Sequence, residues 1–351
     1  MIESERTGID PVTKRVLIAL SILAAAIIFS LIIGNLLGLL ALFFVSILFA
    51  IFLRSLAEFI NQRTKLPYVP ALILVIIALV AVLALGIWGL STPLWSQFDQ
   101  LGDTLPRSFL YLREEISQYE WGEHLFTQLT SFDDLIANRI LLIDRVTTIF
   151  TNTIGFLVSF LVVAFLGVYL AVNPDLYTDG LLRLIPIHRR ERIREVFIAM
   201  RKTLQWWLIG RALSMIALGL LVTFGLWIMQ VPLAPALGIL AALLDFVPHF
   251  GPVIATIPAI LIALTQSPLK ALAVLIFFII IQQVESFVIT PFFQQKTTSL
   301  PPGLAIIAQV LLVFLLGPLG LLIASPLAAV LLVAVRMLYV EDVLGDRISN
   351  T

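Results

Sequence analysis

Apolar residues fill this chain in runs longer than the helices of a soluble domain, and polar residues gather between the runs. A bilayer's hydrocarbon core is ~30 Å thick, and a helix needs ~20 apolar residues to cross it. On that measure the pattern predicts spans at 16–33, 36–53, about 66–90, 149–172, 204–229, 231–260, 271–289 and 304–340. The Gly34-Asn35 pair reads as a turn, so the first two spans are expected to form a tight hairpin. The sixth run, VPLAPALGILAALLDFVPHFGPVIATIPAI, holds Asp245, His249 and five prolines. An interior proline disfavours helix by about 3 kcal/mol, so a break is expected around 246–252. The last run is too long for one span. Gly317-Pro318, Gly320 and Pro326 interrupt it, which predicts a discontinuous eighth span with a re-entrant half. The fold class is therefore an all-α integral membrane protein of about eight transmembrane helices, the sixth and eighth broken by glycine and proline.

The polar segments divide the chain into parts. Residues 1–90 hold an amino-terminal cytoplasmic tail and three spans. Residues 91–145 form an insert with nine acidic residues against four basic ones. Its apolar residues recur at helical spacing, as in Phe109, Leu112, Ile116 and Tyr119, so two amphipathic helices are expected there. Residues 146–203 hold the fourth span and a basic linker, with seven basic against four acidic residues over 175–202. Residues 204–351 form a carboxyl-terminal core with broken helices and a short tail. The positive-inside rule places the basic loop around Arg54, Arg63 and Lys65 and the basic linker in the cytoplasm. The acidic insert then lies outside, and both termini lie in the cytoplasm. Lys14-Arg15 followed by Ala24-Ala25-Ala26 has some look of a signal peptide, but the apolar run continues to Ile33, which suits a retained span.

Composition supports this class: 60% hydrophobic, 13% charged, mean hydropathy +1.06, where a soluble domain is nearer half and a quarter. Net charge is zero and points to no nucleic-acid partner. The chain has no cysteine, which removes disulfides, thiolate metal sites and cysteine nucleophiles. It has no Gly-Lys pair and hence no P-loop, no H-E-x-x-H zinc motif and no G-x-S-x-G elbow. No enzyme activity, metal or cofactor is expected.

Ionisable residues inside a membrane point to function, because they are costly to keep there. Here these are Arg211, Asp245, His249 and Glu285, with Gln282 and Gln309 beside them. Asp245, His249, Glu285, Arg211 and Gln282 are the candidates for the transport path or its ion coupling. Pro248, Gly251, Pro252, Pro258, Gly317, Pro318, Gly320 and Pro326 are the candidate hinges. Gln282 and Glu285 can share a helix face. Arg211, one turn after Trp206-Trp207, is placed to snorkel toward the cytoplasmic surface. A carboxylate paired with Arg211 would be structural, and an unpaired one a coupling group. Broken helices in the bilayer are how transporters build sites, so transport of a small polar solute is expected, driven by an ion gradient or by the solute's own. Two rivals stay open: a proton-coupled cation antiporter using the same carboxylates, and a scaffold without flux that acts through the insert. The partners are the lipid bilayer, the solute, and a proton or sodium ion. The insert's apolar faces also leave room for a homo-oligomer.

Three segments in order resemble the autoinducer-2 exporter family of bacterial PerM-like permeases. They are ALGILAALLDFVPHFGPVIATIPAILIAL, QQVESFVITPFFQQKTTSLPPGLAII and GPLGLLIASPLAAVLL. The resemblance implies about eight spans in a bacterial plasma membrane and export of a small polar metabolite such as the autoinducer-2 signal. Other members are similar to sodium- or proton-linked antiporters. It carries onto Asp245, Pro248, Gly251, Pro252, Pro258, Glu285, Pro291, Gly317, Gly320 and Pro326.

Overall fold

In the computed structural model, residues 11–89, 93–117, 153–248, 250–289, 292 and 301–346 are described, and every regular element among them is helical. The first helix, α1 (Pro11–Thr64), runs without a break through Gly34-Asn35. Glycine costs a helix only about 1 kcal/mol, and apolar residues continue on both sides, so the expected hairpin does not form. A helix of 54 residues is about 80 Å long. Its two ends therefore lie far apart.

Helix α2 (Tyr68–Gly89) returns along α1. Helix α3 (Pro93–Ser117) is the described part of the insert. It packs on the carboxyl-terminal half through Leu101, which is buried, and Leu105. Residues 118–152, with the second expected insert helix, lie outside the described residues. Helix α4 (Thr153–Val172) packs on α1, and α5 (Pro174–Arg183) turns away from it by 82° after Asn173-Pro174. Ala50, Leu53, Ala57, Ala71, Leu72 and Leu170 close the core among α1, α2 and α4.

Helix α6 (Arg190–Ile228) is the post on which the second half is built. The chain turns at its end through Gln230 and Leu233, both at positive φ (56° and 61°), and α7 (Ala234–Leu244) runs back along it. After the turn at 245–248, α8 (Phe250–Leu264) returns. Its end is tied to where α7 began: Gln266 Nε2 donates to Gln230 O at 3.2 Å, and Lys270 Nζ at 3.4 Å. The two helices are thus a hairpin with its tip at 245–248. They are not one discontinuous span. At 11 and 15 residues they are about 17 and 23 Å long, short of the full ~30 Å core.

Ser267 caps α9 (Pro268–Val284) by accepting from Lys270 N, and the helix ends in a π-helical turn, Glu285–Ile289. Helices α10 (Pro302–Leu316) and α11 (Pro318–Val335) form a second hairpin around Gly317, whose φ of +61° suits glycine alone. Gln309 and Ser325, each eight residues from Gly317, are hydrogen-bonded across it. The expected broken eighth span is therefore also a helical hairpin. A further π turn, Arg336–Glu341, follows α11.

Among the described residues, four helical stretches are long and apolar enough to cross a membrane: Leu36–Thr64, Ile187–Ile228, Pro268–Ile289 and Pro318–Glu341. The bent pair Leu157–Val172 with Pro174–Arg183 makes a fifth. The expectation of eight is higher because α1 counts once, because only Tyr68–Val82 of α2 enters the comparison, and because α7 and α8 are short. Large apolar side chains cover the outer surface, with Phe314 86% exposed. That is the inverse of a soluble protein's surface, and it suits contact with lipid.

Candidate functional site

Three helices bring charge to one buried point. Arg211 lies in the middle of α6, Asp245 ends α7 at the tip of the first hairpin, and Glu285 opens the π turn after α9. The lengths agree. Asp245 lies 15 residues beyond Gln230 and Glu285 lies 17 beyond Pro268, each about 22–26 Å of helix, so both return to the level of Arg211.

One guanidinium nitrogen of Arg211 donates to Asp245 Oδ1 at 2.8 Å, and the other lies 3.5 Å from Glu285 Oε1. Exposure is 2% for Arg211, 0% for Asp245 and 4% for Glu285. Arg211 does not snorkel, because it has two carboxylates within reach in the interior. Gln282, one turn before Glu285, donates to its Oε2 at 3.3 Å. The two carboxylates differ: Asp245 is held by a short charge-assisted hydrogen bond, whereas Glu285 is held by a longer ion pair.

The cluster is not saturated. Arg211 Nε, Asp245 Oδ2 and the hydroxyl of Ser214 are buried without a hydrogen-bond partner. Ser214 lies one turn along α6 from Arg211, on the same face. Buried polar atoms are seldom left unpaired: Asp245 Oδ2 can accept a proton or a hydrogen bond, the Ser214 hydroxyl can donate or accept one, and Arg211 Nε can only donate. Trp207, a turn to the other side of Arg211, meets Phe246 edge-on at 5.8 Å and shields the hairpin tip.

The two hairpins are joined here. Gln309 of α10 is fully buried, and its Nε2 donates to Pro248 O at 3.0 Å and to Ser325 Oγ at 3.3 Å. Its Oε1 has no partner. A side chain at Gly251 would run into the backbone carbonyl of Leu244, and one at Gly320 into that of Leu312. At both turns, then, a helix folds back against main chain.

The structure brings together Arg211, Asp245, Glu285 and Gln282 from the sequence candidates and places Pro248 beside them. His249 lies outside the described residues. Gly251 and Pro252 start α8, and Pro318 and Gly320 start α11. Pro258 and Pro326 sit inside unbroken helices. Ser214 and Ser325 escaped sequence reasoning because a serine in an apolar helix carries little signal. Gln309, an amide in a run of aliphatic residues, carried more.

Comparison with known proteins adds to this. A family model described as AI-2E family transporter matches residues 17–339. YueF of Bacillus subtilis is 22% identical over 280 residues, covering 76% of this chain and 75% of YueF. The protein sll0060 of Synechocystis is 26% identical over 299 residues, covering 81% and 80%. YrrI of Bacillus subtilis is 27% identical over 180 residues, and the match spans about half of each protein (51% and 51%). All three are named as transport proteins by inference, and none of the names carries a solute.

Proposed function

The chain belongs to the AI-2E family of transporters, and on that premise we propose an ion-linked carrier of a small polar solute, gated at the tip of the α7–α8 hairpin. The observation that carries this is the charge count at Arg211. One guanidinium faces two carboxylates in a place closed to water. An uncompensated charge in such a place is very costly. The closed site therefore holds a proton or a cation along with its arginine, and gives it up when the site opens. Asp245 is the anchor, and Glu285, the more loosely held carboxylate, is the exchanging group. Gln309 ties that event to the second hairpin through Pro248 O and Ser325 Oγ.

The membrane is the bacterial plasma membrane, with the basic segment and the carboxyl end in the cytoplasm. Two features support this orientation. The base of the first hairpin meets the end of α6 remote from Arg190, and α3 of the acidic insert packs on that hairpin. The family name suggests a solute like autoinducer-2. The surplus negative charge favours a second reading as well, in which the transported species is itself sodium exchanged for protons.

Proteoliposomes holding a pH-sensitive dye separate the two. Proton movement driven by an autoinducer-2 gradient without sodium supports the solute carrier. Proton movement driven by sodium alone supports the antiporter. The absence of both, with the protein folded, refutes ion-linked transport of either kind.

A further inference from the structure

Away from the triad, a second charged cluster joins four helices at one level. Arg54 Nε of α1 donates to Glu58 Oε1 at 2.7 Å, and a guanidinium nitrogen of Arg201 on α6 donates to the same oxygen at 3.3 Å. The Arg54 guanidinium also lies over the ring of Tyr68, 5.6 Å from its centre. The Tyr68 hydroxyl, at the start of α2, donates to Ala171 O of α4 at 2.6 Å. Two guanidiniums thus share a single carboxylate oxygen, and the charge of Asp175 is also felt at Tyr68.

This level is the edge of the apolar layer. Arg54 is the first charge after the apolar run 36–53, and Arg201-Lys202 are the last charges before the run from Leu204. The side chains of Arg54 and Arg201 are 25% and 39% exposed, so both reach the surface. Exposed apolar groups lie next to the cluster in the chain: Val69 after Tyr68 on α2, Val172 after Ala171 on α4 and Ile198 one turn before Arg201 on α6. Arg63 over the Phe59 ring extends the basic side.

We propose that this junction binds the phosphate of an anionic phospholipid, with Arg54 and Arg201 as its donors. Guanidinium suits phosphate because its N–H groups match the oxygen geometry. These apolar neighbours receive the acyl chains, which a free anion would leave uncovered. Glu58 holds the two arginines together through one N–H of each, leaving further guanidinium N–H groups to offer. A bound lipid would clamp α1 to α6, the helix that carries Arg211.

The test uses the full chain purified in detergent, probed with phosphatidylglycerol, phosphatidylcholine and inorganic phosphate. Bound lipid is counted by native mass spectrometry, and folding is checked by size exclusion. The wild type should retain phosphatidylglycerol in preference to phosphatidylcholine. Arg54→Gln and Arg201→Gln should each weaken that retention about fivefold, while the lysine variants keep part of it. Glu58→Gln, which frees both guanidiniums, should strengthen it. Equal retention of the two lipids by the wild type overturns the proposal. So does full retention of phosphatidylglycerol in the Arg54→Gln/Arg201→Gln double variant. Displacement of phosphatidylglycerol by an equal concentration of phosphate would assign the site to a free anion instead. If the double variant does not fold, the lipid preference of the wild type and the direction of the Glu58→Gln change decide.

Discussion

Replacing Arg211 by glutamine leaves Asp245 and Glu285 buried together with no cation between them. Removing one partner of a buried ion pair costs about 3–5 kcal/mol, and here the lost partner serves two carboxylates, so the upper half of that range is expected. Asp245→Asn is milder, because it leaves one guanidinium facing one carboxylate. Its cost is the hydrogen bond to a charged group, about 1.5–3 kcal/mol. Glu285→Gln should be mildest. Bare Coulomb attraction at 2.8 and 3.5 Å differs by a factor of only about 1.25, so charge alone does not rank the two acids. The hydrogen bond does, and Glu285 at 3.5 Å lies beyond the range of charge-assisted bonds. Its cost is about 1 kcal/mol or less. A chain of this length loses about 2 °C or less per kcal/mol. Thermal unfolding in detergent should therefore fall by at most about 10 °C for Arg211→Gln, at most about 6 °C for Asp245→Asn and at most about 2 °C for Glu285→Gln. Joint replacement by Arg211→Met, Asp245→Leu and Glu285→Met should recover most of the loss, since apolar groups of similar volume replace buried ion pairs well. The reasoning fails if Glu285→Gln is as damaging as Arg211→Gln, or if the apolar triple is the least stable of all.

Three further outcomes follow from the same geometry. Gly251→Ala drives a methyl group into the Leu244 carbonyl and should cost about 1–3 kcal/mol, read as a lower unfolding temperature and slower transport per folded molecule. Gln309→Leu strands Pro248 O and Ser325 Oγ while also removing one orphan acceptor, so stability should fall by about 1–3 kcal/mol and flux per folded molecule should fall; unchanged flux would exclude a coupling role for Gln309. Arg192 binds Glu195, Glu341, Asp342 and Met337 O, fastening the end of α11 to the start of α6. Such partly exposed pairs are worth about 0–1 kcal/mol each and are screened by salt, so Arg192→Gln, or 1 M salt on the wild type, should speed hydrogen exchange over residues 336–346.

Glycine and proline marked where the chain turns, and those positions could be read in advance. The break predicted around 246–252 is the tip of the first hairpin, and Gly317 is the tip of the second. What the pattern did not carry is direction. Proline ends a helix whether the chain then crosses or doubles back, and here the difference rests on pairings such as Gln266 with Gln230 and Gln309 with Ser325. Gly34-Asn35 misled in the opposite sense, because local turn propensity is weaker than an apolar helix continuing on both sides. Asp245 and Glu285 stood out as charges in apolar runs. Their meeting at Arg211 did not, since 34 and 74 residues separate them from it, and a nearby surface had offered Arg211 a simpler place. Close packing around Asp245 and the pairing of both carboxylates with Arg211 speak for a non-transporting scaffold. The family match and the unsaturated atoms at Arg211 and Ser214 speak for a closed gate.

The central claim is that Glu285 exchanges the ion while Asp245 anchors the arginine. The measurement that tests it most directly is proton flux in proteoliposomes, compared for the wild type, Glu285→Gln and Asp245→Asn at matched protein content. The account predicts that Glu285→Gln abolishes gradient-driven proton movement while folding stays near wild type. Asp245→Asn should lower stability and keep a residual proton flux. Wild-type proton flux in Glu285→Gln would contradict the account and leave the triad as a structural joint.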